Sequence, residues 1–126
     1  MKIGSVLENQ KIEKRISITP EIAKKYLSLG LDVYLSKNYG VHLGIPDEEY
    51  KNIGVKFSDD EKEVINLSNI VVQLGLLSNE KSSLLKEDQT LIGVLNPYDN
   101  KKKLEELKNK KIKLFSLELL PRITRA

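Results

Sequence analysis

An alternation governs what this chain can become. From residue 2 onward, short apolar runs of strand length are separated by amphipathic segments of one to three helical turns. Antiparallel neighbours need only a hairpin turn between them. Strands spaced by helices need crossovers, so the pattern predicts an α/β class with an open, mainly parallel sheet. Residues 2–7 (KIGSVL) read as the first strand, and 9–15 (NQKIEKR) as a charged connection leading to a brief extended piece at 16–18. Thr19 followed by Pro20 then marks a helix start, with a hydroxyl at the N-cap and a proline at the first helical position. Ile22, Ala23, Tyr26 and Leu27 share one stripe of that helix, Lys24, Lys25 and Ser28 lie opposite, and Gly30 supplies the left-handed stop.

The unit recurs. Residues 32–36 form a strand, followed by a loop at 37–46 holding Gly40 and Gly44, a helix at 47–53 closed by Gly54, and a strand at 55–57. Ser58 and Glu61 have capping-box spacing and open a helix through about Leu67. Residues 69–74 (NIVVQL) have the β-branched character of a central parallel strand buried on both faces. A helix at 78–85 capped by Ser78, a strand at 90–95, a helix at 99–109 with Leu104 and Leu107 inward, and a strand at 111–115 complete the series. The expected architecture is one domain over residues 1–126, with five or six strands between helices in three Rossmann-like or flavodoxin-like layers. After Phe115 the sequence SLELLPRITRA is apolar up to Leu120 and reads as a chain that continues to something else.

Composition removes several function classes. Lys plus Arg is 21 and Asp plus Glu 18, a net +3, and the two signs are interspersed, so nucleic acid is not the expected partner. With no Cys and one His, thiol chemistry and a Cys-based zinc site are excluded, and no metal is expected. Apolar runs fall far short of the roughly 20 residues that span a bilayer. Residues 1–20 lack the apolar centre of a secretory signal, which makes the cytoplasm the default location. Neither GxGxxG nor GxxxxGK[ST] can be read around Gly40 and Gly44, so the Gly-rich dinucleotide loop is missing. His42 in that loop reads as a surface residue. The acidic triplets at 47–49 and 59–61 complement helix dipoles, and Lys101 to Lys103 form a solvated helix face.

Three arginines hold more interest. Arg15 follows the first strand, near where parallel strands gather their carboxyl ends and open α/β sheets place ligands. A guanidinium there serves either as a surface salt-bridge partner or as a fork for a carboxylate or phosphate. Arg122 and Arg125 lie in the irregular tail after Pro121. They are ordinary terminal charges, or they neutralise a pyrophosphate or help fix an amide ring.

Three segments in one order, KIGSVLENQKIEKRISITPEIAKKYLSLG, NIVVQLGLLSNEKSSLLKEDQTLIGVLNPYDN and LELLPRITRA, resemble the N-terminal domain of the alanine dehydrogenase and pyridine nucleotide transhydrogenase family over essentially the whole chain. An Arg shortly before a Thr-Pro helix start, here Arg15 with Thr19-Pro20, is shared by both branches. The ending Pro121-Arg122-Ile123-Thr124-Arg125-Ala126 resembles the signature of the transhydrogenase alpha subunit. Alanine dehydrogenases place a Lys after the fourth-strand run and a His after the TLIGxL run. This chain has Gln73 and Asn96 there, neither of which supplies an ammonium charge or the proton transfer that reduction of an imino acid requires.

The resemblance implies a specific role. The transhydrogenase moves hydride between NAD(H) and NADP(H) and couples this to proton translocation. Its NAD(H)-binding component is cytoplasmic, peripheral to the inner membrane and dimeric, working with membrane-embedded and NADP-binding subunits. By motif, Arg122, Ile123, Thr124 and Arg125 fall where the family chain reaches the cleft near the nicotinamide, and Arg15 is a possible ligand contact. The Gly-rich loop belongs to a second subdomain, and the family fold returns a late helix to the first one. A chain of this length would therefore form one wall of the NAD(H) cleft, expose apolar surface and be inactive alone. Alternatives are a stand-alone non-catalytic α/β module binding a partner or small acid through Arg15, and an alanine dehydrogenase-like fragment. A saccharopine-type dehydrogenase explains the PRITRA ending poorly.

Overall fold

The computed structural model describes residues 1–7, 15–75, 79–93 and 100–116. Its strands are β1 (Lys2–Ser5), β2 (Asp32–Ser36), β3 (Lys56–Ser58), β4 (Ile70–Val72), β5 (Thr90–Gly93) and β6 (Lys113–Ser116). Between them lie α1 (Pro20–Ser28), α2 (Asp47–Lys51), α3 (Glu61–Leu67), α4 (Asn79–Ser82) and α5 (Lys101–Asn109). All six strands form one sheet in the order β3-β2-β1-β4-β5-β6, and every neighbouring pair is parallel. The chain works outward from β1 to one edge, then crosses back to β4 and works outward to the other. Because such crossovers are right-handed, reversing direction moves the helices to the opposite face.

Two cores follow. On one face Ala23 of α1 and Tyr50 of α2 pack with Ile3, Val33 and Leu35. On the other, Val64 and Ile65 of α3, Leu85, and Leu104 and Leu107 of α5 pack with Val6, Val71 and Leu91. The first face is covered unevenly. Ile92 and Phe115, which lie opposite each other in the β5–β6 register, belong to neither core, and Phe115 is 54% exposed. Among the described residues no helix is long and apolar enough to cross a membrane.

Local signals account for most boundaries. Thr19 caps α1, its hydroxyl accepting from the Ile22 amide, and Gly30 ends it at φ +87°. Gly4 lets β1 pass close to the C-terminal end of α3, since a Cβ there would overlap Oγ of its C-cap residue Ser68.

Four expectations need correction. Ser58 does not cap α3. It ends β3, and the Asp60 carboxylate takes the cap by accepting from the Lys62 amide, while Ser58 Oγ accepts from the Asp60 amide and donates to Glu63. Lys111 is not in a strand; at φ +63° it reverses the chain after α5. The loop at 37–46 contains a 3-10 turn over Val41–Leu43. Finally, β4 is fully buried on one face only: Val71 is inaccessible, while Ile70 and Val72 are half-buried. The Ser78 cap and residues 94, 95 and 99 lie outside the described residues.

Candidate functional site at the carboxyl edge of the sheet

The order β3-β2-β1-β4-β5-β6 puts the topological switch point between β1 and β4, where the chain leaves in opposite directions and opens a crevice at the carboxyl ends. In dinucleotide-binding sheets a glycine-rich turn after the first strand lets the pyrophosphate approach the backbone there. This chain has no glycine between Gly4 and Gly30. Gln73 occupies the crevice instead.

Its carboxamide stitches the two strands together. Oε1 accepts from the Val6 amide at 2.8 Å and from Ser5 Oγ at 3.0 Å, and Nε2 donates to the Val6 carbonyl at 3.1 Å. Gln73 is 2% exposed, and Val6 is fully buried. The side chain thus continues the ladder one step past the end of β4, satisfying an amide and a carbonyl that burial would otherwise leave costly.

From Ser5 the network runs to Tyr39 and Tyr50. Ser5 Oγ lies 2.8 Å from the Tyr39 hydroxyl and 2.7 Å from the Val72 carbonyl, and its one proton is shared between that carbonyl and Gln73 Oε1. The Tyr39 oxygen accepts from the amides of Ser17 at 3.1 Å and Ile18 at 3.2 Å. Tyr50 donates to the Ile18 carbonyl at 2.8 Å. Both tyrosines are fully buried, and their rings meet edge to face with centroids 6.2 Å apart. Burial, reinforced by Tyr39 and then by Glu49 and Asp47, pushes the Tyr50 phenol far above its ordinary value and keeps it a donor. Further along the edge, Ser36 Oγ accepts from the Leu7 amide, and Lys81 reaches the Leu7 carbonyl at 3.3 Å while paired with Glu61 at 2.9 Å.

Arg15 is exposed and lies two residues before Ser17, which brings it to this edge. His42 is exposed in the 3-10 turn. Arg122, Ile123, Thr124, Arg125 and Asn96 lie outside the described residues. Sequence reasoning misses Ser5, Tyr39 and Tyr50, because no local spacing marks a tyrosine whose partners are 21 to 34 residues away in the chain.

Beside the network, a cavity of about 400 Å³ opens on the less covered face, lined by Ile3, Tyr26, Ile70, Val72 and Ile92 with Ser17 and Gln73 as its polar members. Ser17 Oγ is buried there without a hydrogen-bond partner. Among the described residues, the cavity lining includes no glycine that could cradle a phosphate.

Sheet order and site together define a parallel, Rossmann-like α/β domain in which the Gln73 side chain stitches β1 to β4 at the switch point. The family described as "Alanine dehydrogenase/PNT, N-terminal domain" matches residues 4–126. The chain belongs to that family. It is 35% identical over its whole length to an NAD(P) transhydrogenase subunit alpha protein of Rickettsia prowazekii (strain Madrid E), covering 34% of that protein. An alanine dehydrogenase of Methanococcus maripaludis is 30% identical over 89% of the chain, the match covering 30% of that enzyme. Among solved structures, transhydrogenase from Sinorhizobium meliloti superposes with a TM-score of 0.90 at 25% identity, over 98% of this chain and 37% of that one. The chain therefore spans about a third of the length of these relatives.

Proposed function

We propose that this chain is the N-terminal part of the NAD(H)-binding component of a proton-translocating NAD(P) transhydrogenase, where it forms one wall of the nicotinamide cleft. The observation that carries this reading is the stitched switch point. A sheet of dinucleotide order whose crevice is closed by Gln73 is suited to present an edge to a ligand gripped elsewhere. The similarity of the whole chain to about a third of a transhydrogenase alpha subunit protein supports the same reading. Hydride transfer between two nicotinamides asks a wall for alignment and a few polar contacts, with no acid or base of its own. In this reading Arg122, Ile123, Thr124 and Arg125 contact NAD(H), Arg15 forks an anionic group, and NADP(H) sits on a partner subunit. The component is dimeric and peripheral to the membrane-embedded part.

An alanine dehydrogenase reading is less favoured for a geometric reason. Gln73 stands where that branch has Lys and is committed to Val6 and Ser5.

The test uses hydride transfer from NADH to an NADP analogue. The 126-residue chain by itself should show none. In the full-length subunit assembled with its partners, Arg122→Ala should slow transfer about tenfold or more while the thermal midpoint moves by about 2 °C at most. Unchanged turnover in that variant removes Arg122 from the cleft. Normal transfer by the isolated chain refutes the half-cleft itself.

A further inference from the structure

Residues 15–18 belong to neither helix nor strand. Their backbone polar groups need partners from elsewhere, and two buried phenols supply them. The Tyr39 oxygen takes the amides of Ser17 and Ile18, and Tyr50 gives its proton to the Ile18 carbonyl, so Ile18 is held through both its amide and its carbonyl. An oxygen that accepts two amides keeps its own proton for a third partner, Ser5 Oγ, and Ser5 is tied to Val72 and Gln73 at the switch point. Ser17 and Ile18 are thereby tied to the carboxyl ends of both β1 and β4.

We propose that Tyr39 is the positioning residue for Arg15: by anchoring the main chain at Ser17 and Ile18, its phenol holds the Arg15 backbone at the carboxyl edge, from which the guanidinium exchanges onto the anionic part of the ligand. Arginine loses much rotamer freedom when it binds, and a main chain already fixed leaves less disorder to remove at that moment. The identity of the ligand rests on the transhydrogenase reading above; the clamp itself does not.

Two measurements test this. In the 126-residue chain, Tyr39→Phe should speed amide exchange at Ser17 and Ile18 about tenfold more than at Val71 and Leu91. In the full-length subunit, Tyr39→Phe and Arg15→Ala should each raise KM for NADH about three- to tenfold with kcat retained, and the double variant should be no worse than Arg15→Ala. A merely structural tyrosine would give multiplicative effects. If Tyr39→Phe fails to fold, Ser5→Ala, which removes the acceptor of the phenol proton together with the Ser5 bonds to Val72 and Gln73, takes its place in the cycle, with Gln73→Leu as the control for the loss at the switch point. Unaltered exchange, an unaltered KM or multiplicative effects each overturn the proposal. A wild-type subunit that transfers no hydride refutes the transhydrogenase reading instead, and exchange at Ser17 and Ile18 then decides the clamp alone.

Discussion

Gln73 performs with one side chain what a further ladder step would do with backbone. Its three hydrogen bonds to Val6 and Ser5 are buried, so removing them leaves an amide and a carbonyl without compensation. Gln73→Leu, close in volume, should lower the unfolding free energy by about 2–4 kcal/mol. Urea denaturation measures this directly, and a loss below about 0.5 kcal/mol would mean that water or a neighbour replaces the carboxamide. The residue is visible in the sequence as a polar interruption of an apolar run. What it touches is not, because Val6 lies 67 positions earlier.

Among the elements, α1 and α3 make an instructive pair. Both carry an N-cap signal in the sequence, and only the first is used as read. Thr19 precedes Pro20, whose ring fixes the helix start, so the cap has one possible place. Before α3 the sequence Ser58-Asp59-Asp60-Glu61 offers several oxygens, and the pairing of Ser58 with Ser36 in the β2–β3 ladder decides among them. Ser58 is held extended, the cap falls two residues later on Asp60, and the helix begins at Glu61. Asp60→Ala should therefore cost about 1 kcal/mol and Ser58→Ala only about half of that or less, measured by thermal unfolding of the two variants. The reverse order would restore Ser58 as the cap.

For the molecule as a whole, the two faces of the sheet differ. One is closed chiefly by α3 and α5, whereas the other is closed over β1–β3 and leaves Ile92 and Phe115 outside the core, Ile92 lining the apolar cavity. Exposed apolar surface of this kind drives association. The chain by itself should self-associate as its concentration rises, and Phe115→Ser should shift that equilibrium toward monomer by about tenfold. Sedimentation velocity across a concentration series reads both, and a wild-type chain monomeric throughout would show the face to be adequately covered.

Several properties were legible before any fold was known: the class of architecture, the succession of elements, the lack of a glycine phosphate turn and the inward faces of α1 and α5. Each depends on residues a few positions apart, as with Thr19-Pro20, the stripe of Ile22, Ala23, Tyr26 and Leu27, or Leu104 and Leu107. Three others emerged only once the chain was folded: Gln73 closes the crevice, Tyr39 and Tyr50 grip Ile18, and one sheet face is left partly open around Phe115. The physical reason is range. Helix periodicity and capping act over one or two turns, whereas a buried hydrogen bond is made with whichever group the strand order brings near, and that order joins residues dozens of positions apart.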